Sequence, residues 1–159
     1  MTLQGASKAV TTIGWREWVE LPALGIARLK AKVDTGARTS ALHAFAVERL
    51  GGGLLRFSVH PHQRDDIAAV HTEGELVDER LVRSSSGLVE LRPVVRTLLA
   101  LGGQRFEVEL TLSNRALLGF RMLLGREALR GRFVVDPGCS YRCGGRRSSF
   151  ARTRPQGLA

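Results

Sequence analysis

The chain has 159 residues, of which 43% are hydrophobic and 25% charged. These values lie near the globular average, which excludes a fibrous or wholly disordered chain and allows one domain to bury a core without disulfides. The net charge of +9 is uneven: residues 1–136 carry 19 basic and 15 acidic groups, while the rest carry five Arg and no acid. No apolar run approaches the roughly 20 residues of a membrane span, and Met1–Thr12 lacks an apolar signal-like core, so no membrane contact and a cytoplasmic location are expected.

In chain order, residues 1–12 are expected as an N-terminal arm, 13–138 as the domain and 139–159 as a basic tail in weak contact with polyanions. Arg28–Val33 alternates, with Leu29, Ala31 and Val33 on one face, and so do Leu55–Val59 and Phe106–Leu112. Period-two patterns of this kind predict half-buried strands. Gly51–Gly53 and Gly102–Gly103 punctuate them, and the second pair reads as a hairpin turn between residues 94–101 and 104–112. Thr39–Leu50 reads as a short helix or irregular turn, and Arg126–Gly131 as one or two helical turns. No internal repeat is present. The expectation is a mostly β, closed or barrel-like domain with one or two short helices.

The stretch Ala31-Lys-Val-Asp-Thr-Gly-Ala37 places a carboxylate where an alternating strand runs into a turn. Gly36 allows close backbone approach, and the Thr35 hydroxyl can bond backbone or a neighbouring chain. An Asp held beside a second carboxylate shares one proton with it, so the pair can act on water as base and on a carbonyl as acid. Aspartic proteases are the standing example of such a pair. On the triplet alone, an ordinary strand-to-turn Asp is the favoured reading. A second segment, Met122–Leu129, runs from an apolar strand through Gly125-Arg126 into a short helix.

With Asp34-Thr35-Gly36-Ala37 and Leu123-Leu124-Gly125-Arg126 in this order, the chain resembles the retropepsins, homodimeric aspartic proteases of retroviral type. Gly14–Glu17, Leu21–Ile26, Thr39–Ala44 and Arg83–Gly87 extend the likeness over about residues 13–137. It is similar to a bacterial and archaeal family named ATP-dependent zinc protease, also described as a retropepsin-like aspartic endopeptidase domain. That family is associated with the ribosomal-protein glutamate ligase system. The resemblance implies an acid-protease fold with Asp34 as the catalytic group, and Thr35, Gly36 and Ala37 supporting the turn and substrate strand. Gly125 and Arg126 would support the site or dimer, Arg126 through an ion pair.

Other candidates divide between site and scaffold. Ser84, Ser85, Ser86 and Gly87 form a small polar run that fits a flap tip over a cleft or a plain hairpin loop. His43 fits a cleft position or a buttress behind the turn. His60-Pro-His62 with His71 or an Asp as a third ligand offers a metal-ligand set on paper, against a polar surface loop. Cys139 and Cys143 lack a second pair. No phosphate cradle and no His-Glu-x-x-His occurs, so neither cofactor nor metal is expected. Asp136 precedes Pro137 where Asp34 precedes a hydroxyl residue, and reads as a strand end. A single Asp-Thr-Gly means that a paired site needs two chains, with Asp34 facing its symmetry mate. The expected function is a homodimeric aspartic endopeptidase hydrolysing peptide or isopeptide-like amides of a peptide or protein, ribosomal protein included. The alternative is a catalytically silent binding or regulatory module on the same fold, acting with a ribosomal-protein glutamate ligase. A zinc hydrolase ranks third.

Overall fold

The alternating segments become strands that wrap into a barrel in a computed structural model that describes residues 9–62, 68–83, 86–114 and 119–143. The elements are β1 (Thr11–Gly14), β2 (Arg16–Leu21), a 3₁₀ turn (Pro22–Leu24), β3 (Ile26–Val33), β4 (Ser40–His43), β5 (Phe45–Gly51) and β6 (Leu54–Val59). They continue with β7 (Val70–Arg83), β8 (Val89–Leu101), β9 (Gln104–Ser113), β10 (Met122–Leu124), α1 (Arg126–Leu129) and β11 (Phe133–Asp136). Among the described residues, strand accounts for 65% and helix for 6%, and six strands close into a barrel. This is the mostly β, closed architecture expected, with one short α-helix.

The nine-stranded sheet runs β2-β3-β10-β4-β9-β8-β7-β6-β5, and a β2–β8 pairing at Glu20 and Ala100 closes the barrel. Leu29, Ala31 and Val33 of β3 point inward and are buried, as alternation predicts. Phe106, Val108, Leu110 and Leu112 of β9 do the same from the opposite wall. Gly102 and Gly103, at φ 57° and 77°, make the β8–β9 turn. Positive φ at both central residues matches the twist of the flanking strands, and glycine adopts it without steric cost.

Two expectations are corrected. Thr39–Leu50 holds strands β4 and β5 where a helix or irregular turn was expected. β4 is recruited by neighbours on both sides, β10 and β9, so tertiary pairing overrides weak local propensity. β5 is an edge strand with no buried residue, so it carries no alternation to read. The second correction concerns the chain's ends. β1 begins at Thr11, inside the expected arm, and pairs in parallel with β11.

Residues 139–143, expected to open the tail, pack on the body. Their anchor is Glu17, a fully buried carboxylate. Its Oε1 accepts the backbone N–H of Gly14 at 2.8 Å and of Arg142 at 2.7 Å, and its Oε2 that of Cys143 at 3.2 Å. Burial and the neighbouring Glu17 charge together push the Cys143 thiol pKa up, burial most. Residues 144–159 lie outside the described residues.

Candidate active site

The short strand β10 lies between β3 and β4, parallel to the first and antiparallel to the second. It therefore ends beside the chain that leaves β3, and that chain must cross in front of it to reach β4. The crossing chain is Asp34–Thr39. Asp34 N–H donates to the Leu124 carbonyl at 2.8 Å, and Val33 N–H to the Trp15 carbonyl at 2.8 Å. Arg126 N–H donates to the Ala37 carbonyl at 2.8 Å, and Glu127 N–H to the Arg38 carbonyl at 3.1 Å. The first N–H groups of α1, which lack partners within the helix, thus secure the loop.

Gly125 is required where the two segments touch. A Cβ there would fall on the Thr39 carbonyl oxygen and within 2.9 Å of Thr39 N. Its N–H donates to the buried Ser40 hydroxyl at 3.0 Å. Arg126 reaches the turn through carbonyl oxygens: one Nη1 donates to Thr35 O at 3.1 Å and Gly36 O at 3.0 Å. These two bonds tie Arg126 to the backbone of the turn in its own chain. Thr39 and Ser40 lie within the Thr39–Ala44 likeness, but the sequence does not reveal their roles at this crossing. A hydroxyl residue six positions past the Asp was visible, but its partner lies 85 residues away.

Within the turn, Asp34 Oδ1 accepts N–H from Gly36 at 3.0 Å and from Ala37 at 3.2 Å. Ala37 N–H also meets the Asp34 carbonyl at 3.2 Å. One oxygen is fixed by backbone, while Oδ2 has no hydrogen-bond partner among the described residues. Thr35 and Gly36 are exposed, and Asp34 is half-buried. A half-buried carboxylate with one locked and one open oxygen can accept a water or a second carboxyl group. Asp136 differs: its Oδ1 accepts Gly138 N–H at 2.9 Å and its Oδ2 the Cys139 thiol at 3.2 Å. The Cys139 bond, then the Gly138 bond, holds its pKa below the usual range. Both oxygens serve the turn that ends β11.

His43 ends β4 three residues past Ser40, with its N–H on the Arg121 carbonyl at 2.8 Å. Ser86 and Gly87 sit between the long strands β7 and β8; Ser84 and Ser85 lie outside the described residues. Leu81, Leu88, Val89 and Leu91 around that hairpin end are all exposed. His71 Nδ1 shares a 2.6 Å hydrogen bond with Ser58 Oγ, and His60 stacks on Phe45. Among the described residues, no group of three or more His, Cys, Asp or Glu is placed to hold a metal ion.

Residues 12–143 match a family model described as RimB-like, retropepsin-like aspartic endopeptidase RimB. That description mentions neither zinc nor ATP. A protein named "Probable alpha-L-glutamate ligase" from Parasynechococcus marenigrum is 45% identical over 135 residues, which are 83% of this chain and 29% of that protein. One of the same name from Shewanella halifaxensis is 44% identical over 132 residues, 81% of this chain and 29% of that protein. The chain thus spans less than a third of the length of these relatives. A crystal structure of a protein of unknown function from Legionella pneumophila superposes with a TM-score of 0.68 at 29% identity, covering 85% of this chain and 99% of that one.

Proposed function

The chain belongs to the RimB-like family of retropepsin-like aspartic endopeptidases, and from that premise we propose that it hydrolyses peptide or isopeptide-like amide bonds as a homodimer, with Asp34 of each copy forming the catalytic pair. The observation that carries this reading is the contrast between two turns. Asp34 keeps Oδ2 open, while Asp136 has both oxygens engaged. The described chain offers one suitable carboxylate, so its partner comes from a second copy across a two-fold axis.

In such a pair one carboxylate is ionised and one protonated. The ionised group takes a proton from the water held between them as that water's oxygen attacks the carbonyl carbon. The protonated group gives its proton to the carbonyl oxygen. As the tetrahedral diol collapses, one of its hydroxyls returns a proton to the carboxylate that had given one to the carbonyl oxygen, the C–N bond breaks, and the leaving nitrogen takes a proton from the carboxyl group that gained one from water. Thr35 and Gly36 shape the turn, Ala37 lies beside the substrate strand, and the Arg126 fork keeps the turn from drifting. Ser86 and Gly87, at the end of the β7–β8 hairpin, serve as the flap tip.

The names of the relatives favour one second reading: a binding or regulatory module of cytoplasmic glutamate ligation, silent in hydrolysis, with ribosomal protein as a partner. Both readings are tested by incubating wild type, Asp34→Asn and Asp136→Asn with one pool of peptides, glutamyl-extended ones included, from pH 3 to pH 8. Hydrolysis should be bell-shaped in pH, lost by at least a thousandfold in Asp34→Asn and largely kept in Asp136→Asn, with sedimentation giving a dimer for all three. Wild-type rates in Asp34→Asn would end the aspartic mechanism. No hydrolysis by wild type at any pH would favour the silent module.

A further inference from the structure

The outer face of β2 and β3 is not used by the proposed site. Side chains of alternate residues share it: Arg16, Trp18 and Glu20 from β2, and Arg28, Lys30 and Lys32 from β3. Arg16 is paired across the strands with Lys32, and Trp18 with Lys30. The Arg28 guanidinium lies 4.0 Å from the Trp18 ring centre, and Lys30 Nζ lies 5.1 Å from it. Tyr141 stacks on Trp18 at 5.6 Å and 27°, and Arg16 lies 4.9 Å from the Tyr141 ring. Four cations and two stacked rings therefore form one layer, with Glu20 as the acid among the six β2 and β3 side chains.

Beside this layer a cavity of about 400 Å³ opens between Trp18, Glu20 and Arg28 on one side and Gly102, Gly103 and Arg105 on the other. Like charges set next to one another cost free energy unless an anion relieves them. Lys30 and Lys32 repeat every second residue, roughly 6.6 Å, a spacing that suits consecutive phosphates of an extended strand. The Arg28 guanidinium, backed by Trp18, presents a flat face on which a base can stack. A carboxylate chain has no ring to use that plane. Glu20 repels phosphate but accepts a hydroxyl, which favours a ribose over a deoxyribose.

We propose that this face binds single-stranded RNA, with phosphates on Arg16, Lys30 and Lys32 and one base on the Arg28–Trp18 stack at the mouth of the cavity. The test is fluorescence anisotropy of a labelled 12-nucleotide oligo(U) with the full chain over a salt series. Lys30→Gln/Lys32→Gln should weaken binding at least tenfold and lower the slope of log affinity against log salt by about 1.4, the value for two lost phosphate contacts. Arg28→Lys keeps the charge but not the plane. It should weaken binding at least fivefold with an unchanged slope. Arg146→Gln/Arg147→Gln/Arg152→Gln/Arg154→Gln should leave both effects intact. Circular dichroism of each variant should match wild type, Arg28, Lys30 and Lys32 lying on the outer face of β3. Equal affinity for oligo(dT), equal affinity for an oligoglutamate of the same charge, or binding that survives the face variants and vanishes in the four-Arg variant would each overturn the assignment.

Discussion

Replacing Gly125 with alanine should pull apart the two segments that cross at the site. The added methyl would collide with backbone atoms of Thr39, one of them 2.9 Å away. Neither segment can yield cheaply, because Leu124 is paired with Val33 in β3 and Ser40 with Leu110 in β9. Overpacking commonly costs 1–3 kcal/mol, and a clash with backbone in place of a flexible side chain belongs at the upper end, about 3 kcal/mol. On a domain of this size that lowers Tm by about 10 °C. The displacement also strains the Asp34 N–H bond to Leu124 and the Ser40 bond, so the Asp34 amide should lose hydrogen-exchange protection ahead of the barrel strands. Gly36→Ala is the matched control. Its Cβ would meet a single atom, Asp34 Oδ1 at 3.2 Å, so Tm should fall by no more than about 3 °C, while hydrolysis drops because the carboxylate is pushed. Thermal unfolding and exchange read by mass spectrometry measure both. A Gly125→Ala protein with wild-type Tm and wild-type Asp34 protection would refute the claim that this glycine sets the crossing.

Glu17→Ala strands three backbone donors that one buried carboxylate now serves. It should cost about 3 kcal/mol and speed tryptic cleavage after Arg142; unchanged cleavage would show that the segment is held by something else. Glu109 is bonded to Arg80 at 2.6 Å, and that bond above all holds its pKa below the ordinary 4.5. A depressed folded pKa means its contribution is present above the unfolded value and is lost as pH falls through the folded one. Because both side chains are about a third exposed, the pair is worth about 0.5 kcal/mol after solvent screening. The Tm gap between wild type and Glu109→Gln should therefore be present at pH 7 and shrink as pH falls below 4.5, and a gap that does not shrink in acid would remove the ion pair as its cause.

Much of the barrel was legible because β3, β6 and β9 each bury one face, and burial of one face writes alternation into the sequence. The Gly102–Gly103 turn was legible for a similar reason, since few residues tolerate its dihedrals. β5 buries neither face and left no such trace. The Asp34 turn and Leu123–Arg126 could be named from their residue types, but what joins them could not. Their link is a strand of three residues seated between β3 and β4, and a backbone contact at Thr39 that only a folded chain creates. The role of Glu17 is hidden in the sequence, because a lone Glu in an alternating strand looks like a solvated side chain. Its three donors come from residues 14, 142 and 143, which sequence distance hides.

The pairing of β1 with β11 has a mechanical side. The two strands run in the same direction over four rungs, from Thr11 beside Phe133 to Gly14 beside Asp136. The chain enters β1 at one end of this ribbon and leaves β11 at the other. A pull that draws the two chain ends apart therefore slides the strands past each other lengthwise, and all four rungs carry load together where a hairpin would unzip one at a time. Such a clasp resists tension through its rate of rupture, so a neighbouring module attached at either end could tug on this domain without first loosening the turn that holds Asp34.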